Sequence, residues 1–386
     1  MKRIALLGLG EVGQGFYEVF EHEKSRVSAL TGISMDLGAV LVRNMRKQRK
    51  VMPREGLLTD NPHRIINDTT TDAIVDAIND SALGYEMAVS ALSHGKHFIT
   101  ANKALVSRHM EELHALAAQH GAAFLYEASV GGGTPLLKPL RALERAGEIT
   151  SIKGILNGSC NFILTGMREG NTYEVMMQRA SALGYLEADP RDDVAGYDTR
   201  RKLRILCCVA FGGSVPEQDI PCEGIMRVRD QDIAALAQHG YEVKLLGAAR
   251  REGRGVAAFV FPCALPRLTP LAGISGSLNL IEVTSPFLGR AGFMGQGAGS
   301  RPTGHAVFTD LLDAMSGAAG LSPRLGRVPP AAAPTTARFY LRGVAIPAAW
   351  ADGALGDGQK THPLDLQEVQ AWLADHQEAC AIMLEP

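Results

Sequence analysis

The chain has 386 residues, with 39 Lys+Arg against 41 Asp+Glu for a formal net charge of −2, a balance that excludes a nucleic-acid binder working by bulk charge. With 46% hydrophobic and 21% charged residues it is not a disordered chain, and its length suggests two or three domains that can each bury a core. No apolar run reaches the roughly 18–20 residues of a membrane helix, and membrane partners are not expected.

Lys2 and Arg3 before an apolar run imitate a secretory leader, but Gly8, Gly10 and Glu11 interrupt it, so the expectation is a cytoplasmic protein. Residues 3–7 predict a strand, 8–15 a glycine-rich turn and 16–20 the continuation of a helix. Apolar runs at 39–42, 97–100 and 123–126, with a helical stretch at 85–93, continue the alternation. Alternating strands and helices imply an α/β fold, a doubly wound parallel sheet of the Rossmann type. After Gly131-Gly132-Gly133 the pattern changes to a strand at 152–156 and helices at 172–183 and 199–211. A hairpin follows at 243–250 and 256–263, then a β-branched run at 278–284. This second region reads as α+β with an antiparallel component. A Pro- and Ala-rich linker at 328–337 precedes a short last segment. The six cysteines, none in a CxxC pair, read as buried or free thiols rather than metal ligands.

Gly8-Leu9-Gly10-Glu11-Val12-Gly13 is a GxGxxG between a predicted strand and a predicted helix. The first glycine permits the tight turn, the second lets the backbone approach a pyrophosphate, and the third lets helix and strand pack closely. An NAD site usually places a carboxylate after the second strand. Here that strand runs into Arg43, Asn44, Arg46 and Lys47. A guanidinium there suits a 2′-phosphate, so NADP is expected in preference to NAD, held by Arg43 with Lys47 or Arg46 assisting.

Four further stretches carry chemistry. Thr100-Ala101-Asn102-Lys103 and Glu127 to Pro135 each follow a strand, where parallel sheets place their ligands. Asn157-Gly158-Ser159-Cys160-Asn161 is the third. In the fourth, residues 184–202, Asp198 and Lys202 are four apart and share a helix face, with Tyr185 and Glu187 in the preceding loop. A hydride delivered to a carbonyl makes an alkoxide that a lysine can protonate, and carboxylates beside it suit a substrate bearing an ammonium group. The residues by themselves point to a nicotinamide-dependent oxidoreductase acting on a small amino-acid-like alcohol or carbonyl.

Together these segments, with Gly297-Ala298-Gly299 and Pro302-Thr303, resemble homoserine dehydrogenase over roughly residues 1–315. The resemblance implies reversible conversion of L-homoserine to L-aspartate 4-semialdehyde with NAD(P), a step toward threonine and methionine. It implies that Lys202 and Lys103 are the catalytic lysines, with Glu187, Asp198, Asn157, Ser159 and Tyr185 in the substrate pocket. Gly8, Gly10, Glu11, Val12, Gly13, Arg43, Lys47, Thr100, Lys103, Gly297 and Gly299 would line the dinucleotide site. A monovalent cation, Na+, would be held by the loop of Glu127, Val130, Gly132 and Thr134; capping or tethering of that loop by Glu127 is an equal alternative from sequence. A homodimer or homotetramer is expected, joined through an open sheet of the second domain.

The implied domains are 1–135 for the dinucleotide, 136–310 for substrate binding and oligomerisation, 311–337 for a returning helix and linker, and 338–386 for a short tail. Longer relatives end in a ligand-sensing ACT domain. Residues 338–386 are too few for one and read as a degenerate remnant, so weak or absent feedback by threonine is expected. Asn79-Asp80-Ser81 stands where the family has a Gly-Gly turn, and Gln296 interrupts its Gly-Pro-Gly-Ala-Gly. These departures leave two alternatives: a dehydrogenase for another amino-acid semialdehyde, or a catalytically weak NADP-binding regulator.

Overall fold

The computed structural model describes residues 1–186, 189–318, 326–333, 335–344 and 346–384. An apolar run covered on both faces makes the first strand, β1 (Lys2–Leu7), whose last four residues are buried. Gly8 follows at φ +89°, a conformation that costs glycine little, and turns the chain into α1 (Glu11–Thr31). The alternation continues through β2 (Met35–Leu41), β3 (Leu58–Thr59), α2 (His63–Ile66), β4 (Ala73–Asp76), α3 (Ser81–Ser93), β5 (His97–Thr100), α4 (Lys103–Gln119), β6 (Phe124–Leu125) and α5 (Leu137–Ala146). The six strands pair in the order β3-β2-β1-β4-β5-β6, all in parallel. The order reverses between β1 and β4, so the loops leaving Leu7 and Asp76 diverge and open a crevice at the carboxyl ends of these strands.

The chain then forms β7 (Ser151–Ile155), α6 (Gly158–Arg168), α7 (Tyr173–Ala182), α8 (Arg191–Val194), α9 (Tyr197–Phe211), β8 (Gly213–Ser214), α10 (Asp230–Gln238), β9 (Tyr241–Glu252), β10 (Gly255–Pro266), β11 (Leu278–Ser285) and β12 (Gly289–Gln296). After α11 (Ser300–Ser316) come β13 (Gly326–Arg327), β14 (Thr336–Arg342), β15 (Ala351–Leu355), β16 (Gly358–Thr361), β17 (Leu364–Asp365), α12 (Leu366–Asp375) and β18 (Cys380–Leu384). Two compact units result, Met1–Arg141 with Ala298–Gly326, and Ala142–Gly297 with Arg327–Pro386. No helix among the described residues is long and apolar enough to cross a membrane.

This division corrects the boundaries expected from sequence, because the returning helix is α11 and it belongs to the first unit from its first residue. The cause is a close approach of helices. A Cβ on Gly15 of α1 would collide with the Ser300 carbonyl, and one on Gly304 of α11 would collide with the backbone of Gly15 and Phe16. With the backbones this close, Phe308 packs against Phe16 and Phe20 at ring separations of 6.5 and 6.1 Å, inside the core beneath β1 and β2.

The second unit is built on a ten-stranded mixed sheet in the order β12-β11-β7-β9-β10-β18-β14-β16-β15, with β17 paired to β14. Residues 338–386, expected as a short tail, supply its C-terminal part. The last strand, β18, is buried at all five positions and lies between β10, which it joins in parallel, and β14, which it joins in antiparallel. Phe339, Leu341, Trp372 and Met383 share one core with Leu246, Phe259 and Phe261. Buried polar groups tie the segment down as well. Arg342 binds Asp232 of α10 through Nε at 2.6 Å and Nη2 at 3.0 Å, and Arg227 donates to the carbonyls of Leu373 and His376 at the end of α12.

Candidate functional site

The crevice of the first unit is a cleft of about 660 Å3 lined by Gly8 to Val12, the end of β2, the loop after it, and residues 77–80 and 83. A Cβ on Gly13 would collide with the Gly8 carbonyl, whereas one on Gly10 would meet nothing within 4 Å. Thus Gly13 serves helix packing, and Gly10 leaves the backbone open to a ligand. No side chain caps the start of α1 at Gly10, so its first N–H groups are suited to an anion. Arg43, Lys47 and Arg49 all line the cleft, while Arg46 does not figure among its lining residues. Arg49 also braces the loop, donating to the Lys47 and Asn44 carbonyls. These features fit a phosphorylated dinucleotide.

Thr100 takes a different place from the one expected. Its side chain is fully buried, donates to Asp76 Oδ2 at 2.7 Å and accepts from the Asn102 N–H at 2.9 Å. Its hydroxyl is thus engaged within the protein. Asn102 in turn caps α4 by accepting from Leu105 N and donates to the Ile78 carbonyl. The network fixes Lys103, the first residue of α4, to the loop that follows β4.

Asp76 was not singled out by its sequence. It is completely buried, and desolvation pushes its carboxyl up to about 7 against the hydrogen bonds from Thr100 and Ile78. A value raised in the folded state favours folding with the proton on. Its stabilising contribution is full below about pH 4 and is lost as the pH rises toward 7, at most about 4 kcal/mol. Asp76→Asn, which keeps the shape and can still accept from Ile78 N while its NH2 donates to Thr100 Oγ1, is therefore expected to flatten the pH dependence of unfolding over that range. Urea titrations at pH 5 and 7.5 check this: an undiminished loss of stability between these pH values in the variant refutes it.

The Glu127 carboxylate accepts three backbone N–H groups, from Leu136, Leu137 and Lys138, at 2.5 to 2.8 Å. It tethers the start of α5, the alternative reading that the sequence allowed. The Glu127 N–H donates to Asp310 of α11 at 2.7 Å, and burial, together with the Glu127 charge, pushes the Asp310 carboxyl up to about 8. Gly131 and Gly132 both have positive φ. Val130 is buried, and the buried Thr134 Oγ1 has no hydrogen-bond partner. What the loop can offer a cation is this hydroxyl and its carbonyl oxygens.

In the second unit, α9 starts after Gly196, which takes φ +84°, and its first turns carry Asp198 and Lys202 on one face. Lys202 Nζ lies 2.7 Å from Asp198 Oδ2 and donates to the Leu156 carbonyl at 2.9 Å. The Asp198 side chain is only 2% exposed and that of Lys202 12%, so the pair is largely withdrawn from water. Asn157 caps α6 by accepting from Cys160 N and donates to Asp198 Oδ2 at 2.9 Å and to Asp193 Oδ1 at 2.7 Å. Ser159 donates to the Tyr185 carbonyl at 2.6 Å, while the Tyr185 ring, 40% exposed, packs edge-on against Phe162.

Thus Lys202, Asp198 and Asn157 converge, Ser159 and Tyr185 join one another nearby in sequence, and Glu187 lies outside the described residues. Asp193 and Asn279 join the cluster without having been foreseen. Asn279 donates to the same Leu156 carbonyl as Lys202, and its side chain is what a Cβ on Gly297 would strike. Gly299 is in the first unit, at the start of α11. Lys103 belongs to the first unit and Lys202 to the second.

The chain matches the family model for the homoserine dehydrogenase domain over residues 135–312 and that for the homoserine dehydrogenase NAD binding domain over residues 8–127. It is 36% identical over 315 residues to a homoserine dehydrogenase of Bacillus subtilis, covering 81% of this chain and 72% of that one. A crystal structure of a homoserine dehydrogenase from Thiobacillus denitrificans superposes with a TM-score of 0.90 at 30% identity, over 100% of this chain and 98% of the other. A hyperthermophilic archaeal homoserine dehydrogenase mutant in complex with NADPH superposes with a TM-score of 0.68 at 25% identity, over 81% of this chain and 98% of the other.

Proposed function

The chain belongs to the homoserine dehydrogenase family, and from that membership we propose how it interconverts L-homoserine and L-aspartate 4-semialdehyde. It is an NAD(P)-dependent oxidoreductase of amino-acid biosynthesis, serving threonine and methionine. The observation that carries the mechanism is the Lys202, Asp198 and Asn157 cluster, a withdrawn ammonium held in one orientation. When bound, the nicotinamide would supply or accept the hydride. Lys202 Nζ gives a proton to the carbonyl oxygen of the semialdehyde, or takes it from the hydroxyl of homoserine in reverse. Two of its three hydrogens are directed at Asp198 and Leu156, which leaves the third for the substrate oxygen. Asp198 and Asn157 are positioning residues in this reading. Glu187 supplies a further carboxylate to the substrate, and Ser159 with Tyr185 shapes the pocket wall. Lys103 assists from the cofactor side.

NADP is the preferred cofactor, through Arg43 with Lys47 beside it. The loop of Val130, Gly132 and Thr134 suits a monovalent cation held by carbonyl oxygens and the Thr134 hydroxyl, with Glu127 fixing the loop from behind. The enzyme is a homodimer joined along β12, an edge strand with Met294, and Phe287 just before it, exposed. Cysteines not joined in disulfides suit the reducing cytoplasm. The experiment is turnover of L-homoserine followed by nicotinamide absorbance with NADP+ and with NAD+. Homoserine-dependent reduction is expected with both, at higher kcat/KM for NADP+, and Arg43→Ala is expected to lower that ratio roughly tenfold. No turnover with either cofactor rejects the assignment of substrate; equal kcat/KM values that Arg43→Ala leaves unchanged reject the role of Arg43.

A further inference from the structure

We propose that Asp80 limits the preference for NADP by holding a fixed negative charge opposite Arg43 across the cofactor cleft. The inference rests on the reading that Arg43 recognises the 2′-phosphate. Both residues line the cleft with Gly8 and Gly10, and Arg43 Nη2 lies 3.2 Å from Asp80 Oδ2. The two partners are held very differently. Asp80 caps α3, its Oδ1 accepting from Ala82 N and Leu83 N at 3.2 and 3.1 Å, so the carboxylate cannot swing away without uncapping the helix. The Arg43 side chain is 87% exposed and free to turn.

NADP differs from NAD by a phosphate carrying nearly two negative charges. To engage that phosphate, Arg43 must leave Asp80, and Asp80 stays behind as a like charge. NAD asks for nothing of the kind: a carboxylate in this crevice accepts from ribose hydroxyls, the role an acidic residue plays in NAD-selective sites. Asp80 therefore opposes the phosphate and tolerates the hydroxyl, and Arg43 does the reverse.

The test titrates the full-length protein with NADPH and with NADH, following cofactor fluorescence, for the wild type, Asp80→Asn, Arg43→Ala and the double variant. Asparagine and serine cap helices about as well as aspartate, so Asp80→Asn keeps α3, and Asp80→Ser repeats the measurement with a different side chain. Removing the charge is expected to tighten NADPH roughly three- to tenfold with little gain for NADH, and less so at high salt. In the Arg43→Ala background the gain is expected to shrink. An unchanged NADPH to NADH ratio in both Asp80 variants, alongside a lowered ratio in Arg43→Ala, overturns the role of Asp80 alone. A ratio that Arg43→Ala does not move overturns the underlying reading instead.

Discussion

Homoserine-dependent reduction of NADP+ is expected to fall about a thousandfold when Lys202 is replaced by alanine, the middle of the range for removing a positioned general acid or base. The cluster around it explains why nothing substitutes. The Asn157 amide releases no proton near neutral pH, and the Leu156 carbonyl is only an acceptor. The loss is expected in kcat more than in the affinity for NADPH, because the dinucleotide cleft is made by the other unit. Removal of the ammonium also breaks the buried ion pair with Asp198, at a cost of up to about 3–5 kcal/mol, so a thermal melt must accompany the kinetics. Lys202→Arg separates the two effects: it restores the cation, and with it stability, but a guanidinium releases no proton near neutral pH. Activity of Lys202→Ala within tenfold of wild type, with loss in Lys103→Ala, would move the proton to Lys103.

Deletion of residues 336–386 is expected to abolish cooperative unfolding of the second unit rather than to relieve an enzyme of a regulator. The segment contributes Phe339, Leu341, Leu366, Val369, Trp372 and Met383 to a shared core. At about 1.5–3 kcal/mol for each large side chain returned to water, the loss rivals the whole stability of a typical domain, about 5–15 kcal/mol. Deletion also uncovers the length of β10 that pairs with β18, an aggregation hazard. Calorimetry of the shortened chain should show a missing or much broadened transition. A sharp transition with wild-type turnover would sink the prediction. Response to threonine has to be probed by point changes in α12 or the β15–β16 hairpin, since the deletion removes the enzyme along with any regulation.

Much of the site could be read from the residues in order, because its signals are local. The turn at Gly8, the helix behind Gly10 and the shared face of Asp198 and Lys202 depend on spacing alone. What escaped detection depends on partners distant in the chain. Thr100 lies at the end of a parallel strand, where a ligand contact is a fair expectation, yet Asp76 on the neighbouring strand claims its hydroxyl. Glu127 has a charge that suits a cation, but the loop folds back so that α5 starts on top of it. Gly15 and Gly304 carry no motif, and only the approach of α1 to α11 gives them a role. Asp193 and Asn279 are ordinary polar residues until Asn157 and Leu156 are brought beside them. The last segment contains short strands whose pairing with β10 no periodicity announces.

The position of β18 bears on how the protein is made. Cys263 pairs with Met383 and Ala264 with Leu384, so the middle of the sheet is filled by residues synthesised well after β10. While the ribosome still holds them, β10 and β14 are both without the neighbour that joins them, and strands at either side wait for a piece that has not emerged. At about 5–20 residues per second, synthesis keeps the second unit open for several seconds with apolar edges uncovered, whereas β1 to β6 of the first unit leave the tunnel early. The second unit therefore closes only once β18 has left the ribosome, and until then its uncovered strand edges are open to wrong pairing.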